Sequence, residues 1–243
     1  MFSLVFNGTK YTLKIMKFIV IEGLDGSGKS TQLKKLKDYL TQNNIQYQYV
    51  HFPRTDSRIY GDLIARFLRG DLGDIHSVNP YLIALIYAGD RNDAKQSIID
   101  WLKNGDLVIV DRYVYSNIAF QCAKLNDIAE IDKLSEWIKD LEYNYFQIPK
   151  PALNIFLNVP FEFTKHNLKN QRHGNDREYL EGKEDIHEKD IDFQSKVRDI
   201  YLHETKKDKT LKIIDCANEN GQMPDSNVVF AKLLELLKSE KII

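Results

Sequence analysis

Two kinds of apolar pattern alternate along the chain. Residues 18–22, an apolar run that stops at Glu22, read as a buried strand, the continuous apolar run 107–110 reads as a central parallel strand, and 153–157 reads as another strand. The stretches 46–52 and 211–214 read as two further strands. Between them, apolar residues recur at helical spacing. Leu33, Leu36 and Leu40, with lysines between them, mark a helix from 31 to 39. Similar spacing predicts helices over 59–68, 81–103, 116–124, 128–141, 161–169, 191–202 and 228–237. Asn79-Pro80 caps the 81–103 helix, and Gly89 weakens it near the middle. Residues 170–190 differ: they are charged, almost without aliphatics, and carry Gly174 and Gly182, which reads as a mobile flap.

Strands alternating with helices give an α/β fold, a central parallel sheet of about five strands with helices on both faces. No repeat or Pro/Ser-rich linker divides the chain, so residues 1–243 read as one domain. Asn7-Gly8 between alternating apolar flanks suits a small hairpin. Alternatively Met16, just before the first core strand, is the natural start, and 1–15 is an extension; that second reading is preferred.

Composition narrows the classes. Hydrophobic residues make up 43% and charged residues 28%, enough for a substantial core. A net charge of −1 supplies no global field for nucleic acid, so an anionic ligand must be held by local Arg and Lys. No apolar run approaches the length of a membrane span, and the first fifteen residues do not read as a signal peptide. Cys122 and Cys216 are far apart, without metal-like spacing, and suggest a reducing, cytoplasmic compartment.

The chemistry begins where the first core strand stops. Gly23-Leu24-Asp25-Gly26-Ser27-Gly28-Lys29-Ser30 has the phosphate-binding loop spacing, followed by Thr31 and a helix. Glycines let successive N–H groups curl around phosphate oxygens, and the helix adds the positive end of its dipole. Lys29 suits the outer phosphates, and the Ser30 hydroxyl suits Mg²⁺. Asp111 ends another strand, where a carboxylate can orient a Mg²⁺ shell, and Arg112 beside it can fork onto a phosphate. Ligands of such sheets bind beyond the strands' carboxyl ends, so Glu22, Pro53 and Asp111 should converge.

Other residues fit the same crevice, each beside a plainer reading. Arg54, after Phe52-Pro53, either faces the crevice or is a surface arginine. Tyr87 and Arg91 share a helix face and suit a base by stacking and an edge contact; a core tyrosine and a surface arginine would look alike. Asn117, Phe120 and Gln121 lie a turn apart on the helix leaving the site. Arg172 and Arg177 in the flap suit a lid that places positive charge over a migrating phosphoryl group.

Taken in order, these motifs resemble the thymidylate kinases: Gly-Leu-Asp-Gly-Ser-Gly-Lys-Ser-Thr at 23–31, Phe-Pro-Arg at 52–54, Tyr-Ala-Gly-Asp-Arg at 87–91 and Asp-Arg-Tyr at 111–113. The resemblance covers nearly the whole chain from Met16. It implies a P-loop NTPase-type three-layer fold with a lid. It also implies transfer of the γ-phosphoryl of ATP to dTMP with Mg²⁺, and a homodimer. Carried over by position, Gly23 to Thr31 hold the ATP phosphates, with Lys29 catalytic, and Ser30 and Asp111 hold Mg²⁺. Asp25 contacts the deoxyribose 3′-hydroxyl, and Arg54 and Arg112 clamp the dTMP phosphate. Tyr87 stacks on thymine, Arg91 and Gln121 contact its edge, and Phe120 crowds the sugar 2′ position. Phe52, Pro53 and Asn117 complete the acceptor site, and Arg172 or Arg177 supplies the catalytic lid charge, with Arg172 also near ATP.

There are two departures from the family pattern. Gly26-Ser27 carries no loop arginine, which hands that role to the lid, and no residue separates Pro53 from Arg54. The rivals are another deoxynucleotide kinase on this fold, a nucleotide-dependent switch and a non-catalytic nucleotide-binding protein. Asp25 with Ser30-Thr31 argues against an adenylate-kinase-like loop, and no Asn-Lys-x-Asp motif supports a switch.

Overall fold

The computed structural model describes residues 17–169, 180–183 and 185–243 in full, and residues 3–6 and 9–12 by backbone alone. The first two strands, β1 (Ser3–Phe6) and β2 (Thr9–Thr12), pair antiparallel with each other in a separate two-stranded sheet. This supports the hairpin that the sequence reading placed second; Asn7-Gly8 itself lies outside the described residues.

The main chain then runs β3 (Phe18–Glu22), α1 (Lys29–Gln42), β4 (Tyr47–His51), α2 (Tyr60–Leu68), α3 (Pro80–Asn104) and β5 (Leu107–Asp111). It continues through α4 (Val114–Cys122), α5 (Ile128–Lys139), a π-helical turn (Asp140–Tyr145) and β6 (Leu153–Asn158). Last come α6 (Phe161–Lys169), α7 (Ile186–Lys189), α8 (Ile191–Glu204), β7 (Leu211–Asp215) and α9 (Ser226–Ser239). The five core strands lie in the order β4-β5-β3-β6-β7, and every neighbouring pair is parallel.

Side chains alternate across a strand, so a run apolar at every position can feed two cores. Phe18 and Val20 of β3 pack on one face with residues of α3, α4, α5 and α8. Ile19 and Ile21 pack on the other with Leu33, Leu36 and Leu40 of α1 and Val229, Leu233 and Leu237 of α9. The three layers follow directly, and they aim the carboxyl ends of β3, β4 and β5 at one crevice.

Gly89 does not interrupt α3, contrary to its reading as a weak point. The Tyr60 ring of α2 lies against it, and a Cβ there would sit 2.2 Å from Tyr60 Cε1. The glycine is a contact surface, and that packing outweighs its helix cost of about 1 kcal/mol. Asn79 caps the helix as expected, its side chain accepting from Tyr81 N at 2.9 Å. Of the expected flap, 170–179 and 184 lie outside the described residues, including Gly174, Arg172 and Arg177. Its remaining part is built in: Leu180 is buried, and Asp185 caps the short helix α7.

Candidate active site

A cavity of about 470 Å³ opens beyond the carboxyl ends of β3, β4 and β5. The phosphate loop forms one wall. Gly26 and Gly28 hold φ of 73° and 77°, conformations closed to most side chains, and let the loop turn into α1. Leu24, Asp25, Gly26, Ser27, Lys29 and Ser30 line the cavity. Gly23, Gly28 and Thr31 support the turn without lining it.

Lys29 Nζ lies 2.6 Å from Asp111 Oδ1, so the loop lysine and the β5 carboxylate meet inside the crevice. Burial works against charge on Asp111, but the Lys29 ammonium and the His51 hydrogen bond hold its carboxyl well below the usual range. Burial likewise lowers the Lys29 amine, against the pull of Asp111. His51 Nδ1 sits 3.0 Å from Asp111 Oδ2, and Tyr49 OH donates to the same oxygen at 3.4 Å. An ionised carboxylate and a serine hydroxyl lining one cavity are hard-oxygen donors of the kind that fits Mg²⁺.

Arg112 follows at φ 66°, the left-handed region a non-glycine residue rarely holds. Its N–H is pinned to Ile21 O at 3.0 Å, and the strained turn swings the guanidinium into the cavity. There it donates to Asp25 Oδ1 at 2.7 Å and lies over the Phe120 ring at 5.0 Å. Gln194 of α8 donates to the other Asp25 oxygen at 2.9 Å. Glu22 anchors this arrangement from below. It is fully buried and accepts from Tyr113 N, Ser116 N, Ser116 Oγ and Tyr201 OH. Burial raises its carboxyl above the usual range despite those donors.

The far wall holds Tyr87, Arg91, Asn117, Phe120 and Gln121, which all line the cavity. Arg91, expected at a helix surface or a base edge, is 2% exposed and grips Glu142 through Nε at 2.5 Å and NH2 at 2.7 Å. Asn117 Nδ2 donates to Ala84 O and Glu142 Oε1, each at 3.0 Å. Its Oδ1 and both polar atoms of Gln121 are buried without a hydrogen-bond partner. Buried amides left this way cost about 1–3 kcal/mol each, and they leave the wall with hydrogen-bonding capacity that a ligand with polar edges can use.

Arg54 corrects its expectation. Phe52 and Pro53 line the cavity, but Arg54 does not. Its Nε bonds Asp90 Oδ1 at 2.9 Å and its NH2 pairs with Asp93, turning the guanidinium toward α3. With no residue between Pro53 and Arg54, the side chain leaves the turn on that side. Arg172 and Arg177 lie outside the described residues.

Sequence reasoning missed several groups. Tyr49, His51, Thr55, Ser116, Asp185, His187 and Glu188 also line the cavity. Tyr49 and His51 had a usable signal, because residues two apart in a strand ending at the crevice share a face. His187 had none: it sits in the charged stretch read as a flap. Burial, with Lys124 nearby, drops its imidazole to about 3, and its Nε2 has no hydrogen-bond partner.

Comparisons of sequence and fold with known proteins point to one family. The sequence model of the thymidylate kinase family matches residues 21–226. Thymidylate kinase of Mycobacterium tuberculosis is 35% identical over 144 residues, 59% of this chain and 66% of that protein, just under two thirds of its length. Thymidylate kinase of Plasmodium falciparum is 32% identical over 197 residues, 81% of each chain. A solved structure of thymidylate kinase from Candida albicans superposes with a TM-score of 0.67 at 26% identity, covering 93% of this chain and 92% of that one. The chain belongs to the thymidylate kinase family.

Proposed function

We propose that the crevice binds ATP on the phosphate loop and dTMP on the α3–α4 wall, and moves the γ-phosphoryl to give dTDP and ADP. The observation that carries the acceptor's identity is the set of unpartnered amide atoms, Asn117 Oδ1 and both polar atoms of Gln121, beside Arg91 in one cavity. A thymine ring offers them an imide N–H flanked by carbonyls. Tyr87 lines the same wall and suits stacking on the base.

The acceptor phosphate is already anionic, so no strong base is needed; the work is positioning and charge stabilisation. Lys29 and the loop amides hold the donor phosphates. Arg112, fixed by Asp25 and Ser116, holds the acceptor phosphate in line. Asp25 keeps its carboxylate toward the sugar side, with Gln194 fixing it. Ser30 and Asp111 would hold Mg²⁺, which when bound supplies charge neutralisation across the donor phosphates. Arg172 and Arg177 remain the proposed lid charges. The Phe120 ring, beside the Arg112 guanidinium, crowds a 2′-hydroxyl.

The enzyme is further proposed to act in the cytoplasm as a homodimer. Cys122 and Cys216 are free and buried, and no helix among the described residues is long and apolar enough to cross a membrane. The test is product analysis with ATP, Mg²⁺ and dTMP. Equimolar dTDP and ADP are expected; ATP hydrolysis without dTDP would contradict the assignment.

A further inference from the structure

Asn117 and Arg91 reach the acceptor wall from different helices, α4 and α3, yet one carboxylate holds both. Glu142 sits in the π-helical turn after α5 and is fully buried. Its Oε2 takes Arg91 Nε, and its Oε1 takes both Arg91 NH2 and Asn117 Nδ2.

The Asn117 amide is therefore not free to turn over. Its nitrogen faces two oxygens, Glu142 Oε1 and Ala84 O, and only an NH₂ can satisfy both. The leftover atom on this cavity-lining residue is Oδ1, an acceptor. Gln121, with neither polar atom bonded, has no such constraint.

We infer that Glu142 is a positioning residue that sets base specificity: by fixing the Asn117 amide and the Arg91 guanidinium, it presents an acceptor next to a donor to the substrate base. This inference rests on the dTMP-binding reading above. The imide of thymine or uracil is complementary, with N3–H toward Asn117 Oδ1 and O4 toward Arg91. Cytosine is inverted at both places, with a lone pair at N3 and an amine at C4, so it meets acceptor against acceptor and donor against donor.

The test is Glu142→Gln, assayed for kcat and KM with dTMP and with dCMP. Only one of the new amide's two atoms accepts, so it cannot keep all three bonds. Whichever way it turns, its amine faces an N–H donor of Arg91 or of both neighbours, and their fixed arrangement loosens. The ratio of kcat/KM for dTMP over dCMP is expected to fall about tenfold or more, through KM, with the kcat for dTMP within a few-fold of wild type. Equal loss on both substrates, with the ratio unchanged, would make Glu142 merely structural and overturn the inference. A wild-type enzyme that does not prefer dTMP would overturn the thymine pocket itself, and the Glu142 inference with it.

Should the single variant not fold, Arg91→Met with Glu142→Met replaces the buried pair by apolar chains. In that background a further Asn117→Ala changes the ratio by less than about twofold if Glu142 aims Asn117. The same change as Asn117→Ala gives in wild type would overturn the inference.

Discussion

The Lys29 ammonium and the Asp111 carboxylate lie 2.6 Å apart, bridging the first turn of α1 and the end of β5. This pair joins the two groups assigned to the donor phosphates and the metal shell. Lys29→Ala removes the charge proposed to stabilise the transferring phosphoryl group. Turnover should fall by about two to three orders of magnitude, while the far-UV spectrum stays that of the folded protein. Near-normal turnover would contradict the loop assignment.

Gln121 is buried with both polar atoms unpartnered, a cost to the unliganded protein that the proposed bound base would repay. Gln121→Leu should therefore move stability and binding in opposite directions. Unfolding free energy without ligand should rise by about 1 kcal/mol, and KM for dTMP should rise roughly tenfold. Denaturant unfolding and steady-state kinetics on one preparation check both signs. A destabilised variant with unchanged KM would place the residue in the core and not in the site.

His187 makes stability depend on acidity. Burial, reinforced by Lys124, holds its folded imidazole at about 3, against an unfolded value near 6.5. Between those values the unfolded chain binds a proton that the folded one does not, so stability drops as pH falls from about 6.5. The contribution approaches about 1.4 kcal/mol per pH unit, and it should vanish in His187→Phe. Urea unfolding between roughly pH 4.5 and 7 measures it. Parallel pH profiles for the two proteins would contradict the buried neutral imidazole.

What the sequence disclosed follows from the range of each interaction. The phosphate loop, the apolar runs of β3 and β5, and the Asn79 cap are local patterns, readable without partners. Gly89 was misread because its reason, the Tyr60 ring, lies in another helix. Arg54 sits in a readable motif, but the carboxylates that claim it, Asp90 and Asp93, come from α3. Glu142 is hardest: in Asp-Leu-Glu-Tyr-Asn-Tyr it looks like any solvated helix carboxylate. Only the π-helical turn and the inward-facing Arg91 and Asn117 reveal it as buried. Local chemistry thus marked the phosphate loop, whereas the proposed base-reading wall depends on contacts between distant segments.

The central claim is that this wall reads thymine. The most direct measurement is ADP release from ATP and Mg²⁺ with dTMP, dCMP or dGMP as acceptor under identical conditions. The account predicts a kcat/KM for dTMP at least about a hundredfold above either alternative, because the wrong base leaves Asn117 Oδ1 and Gln121 buried and unpaired. Comparable rates on all three monophosphates would contradict it.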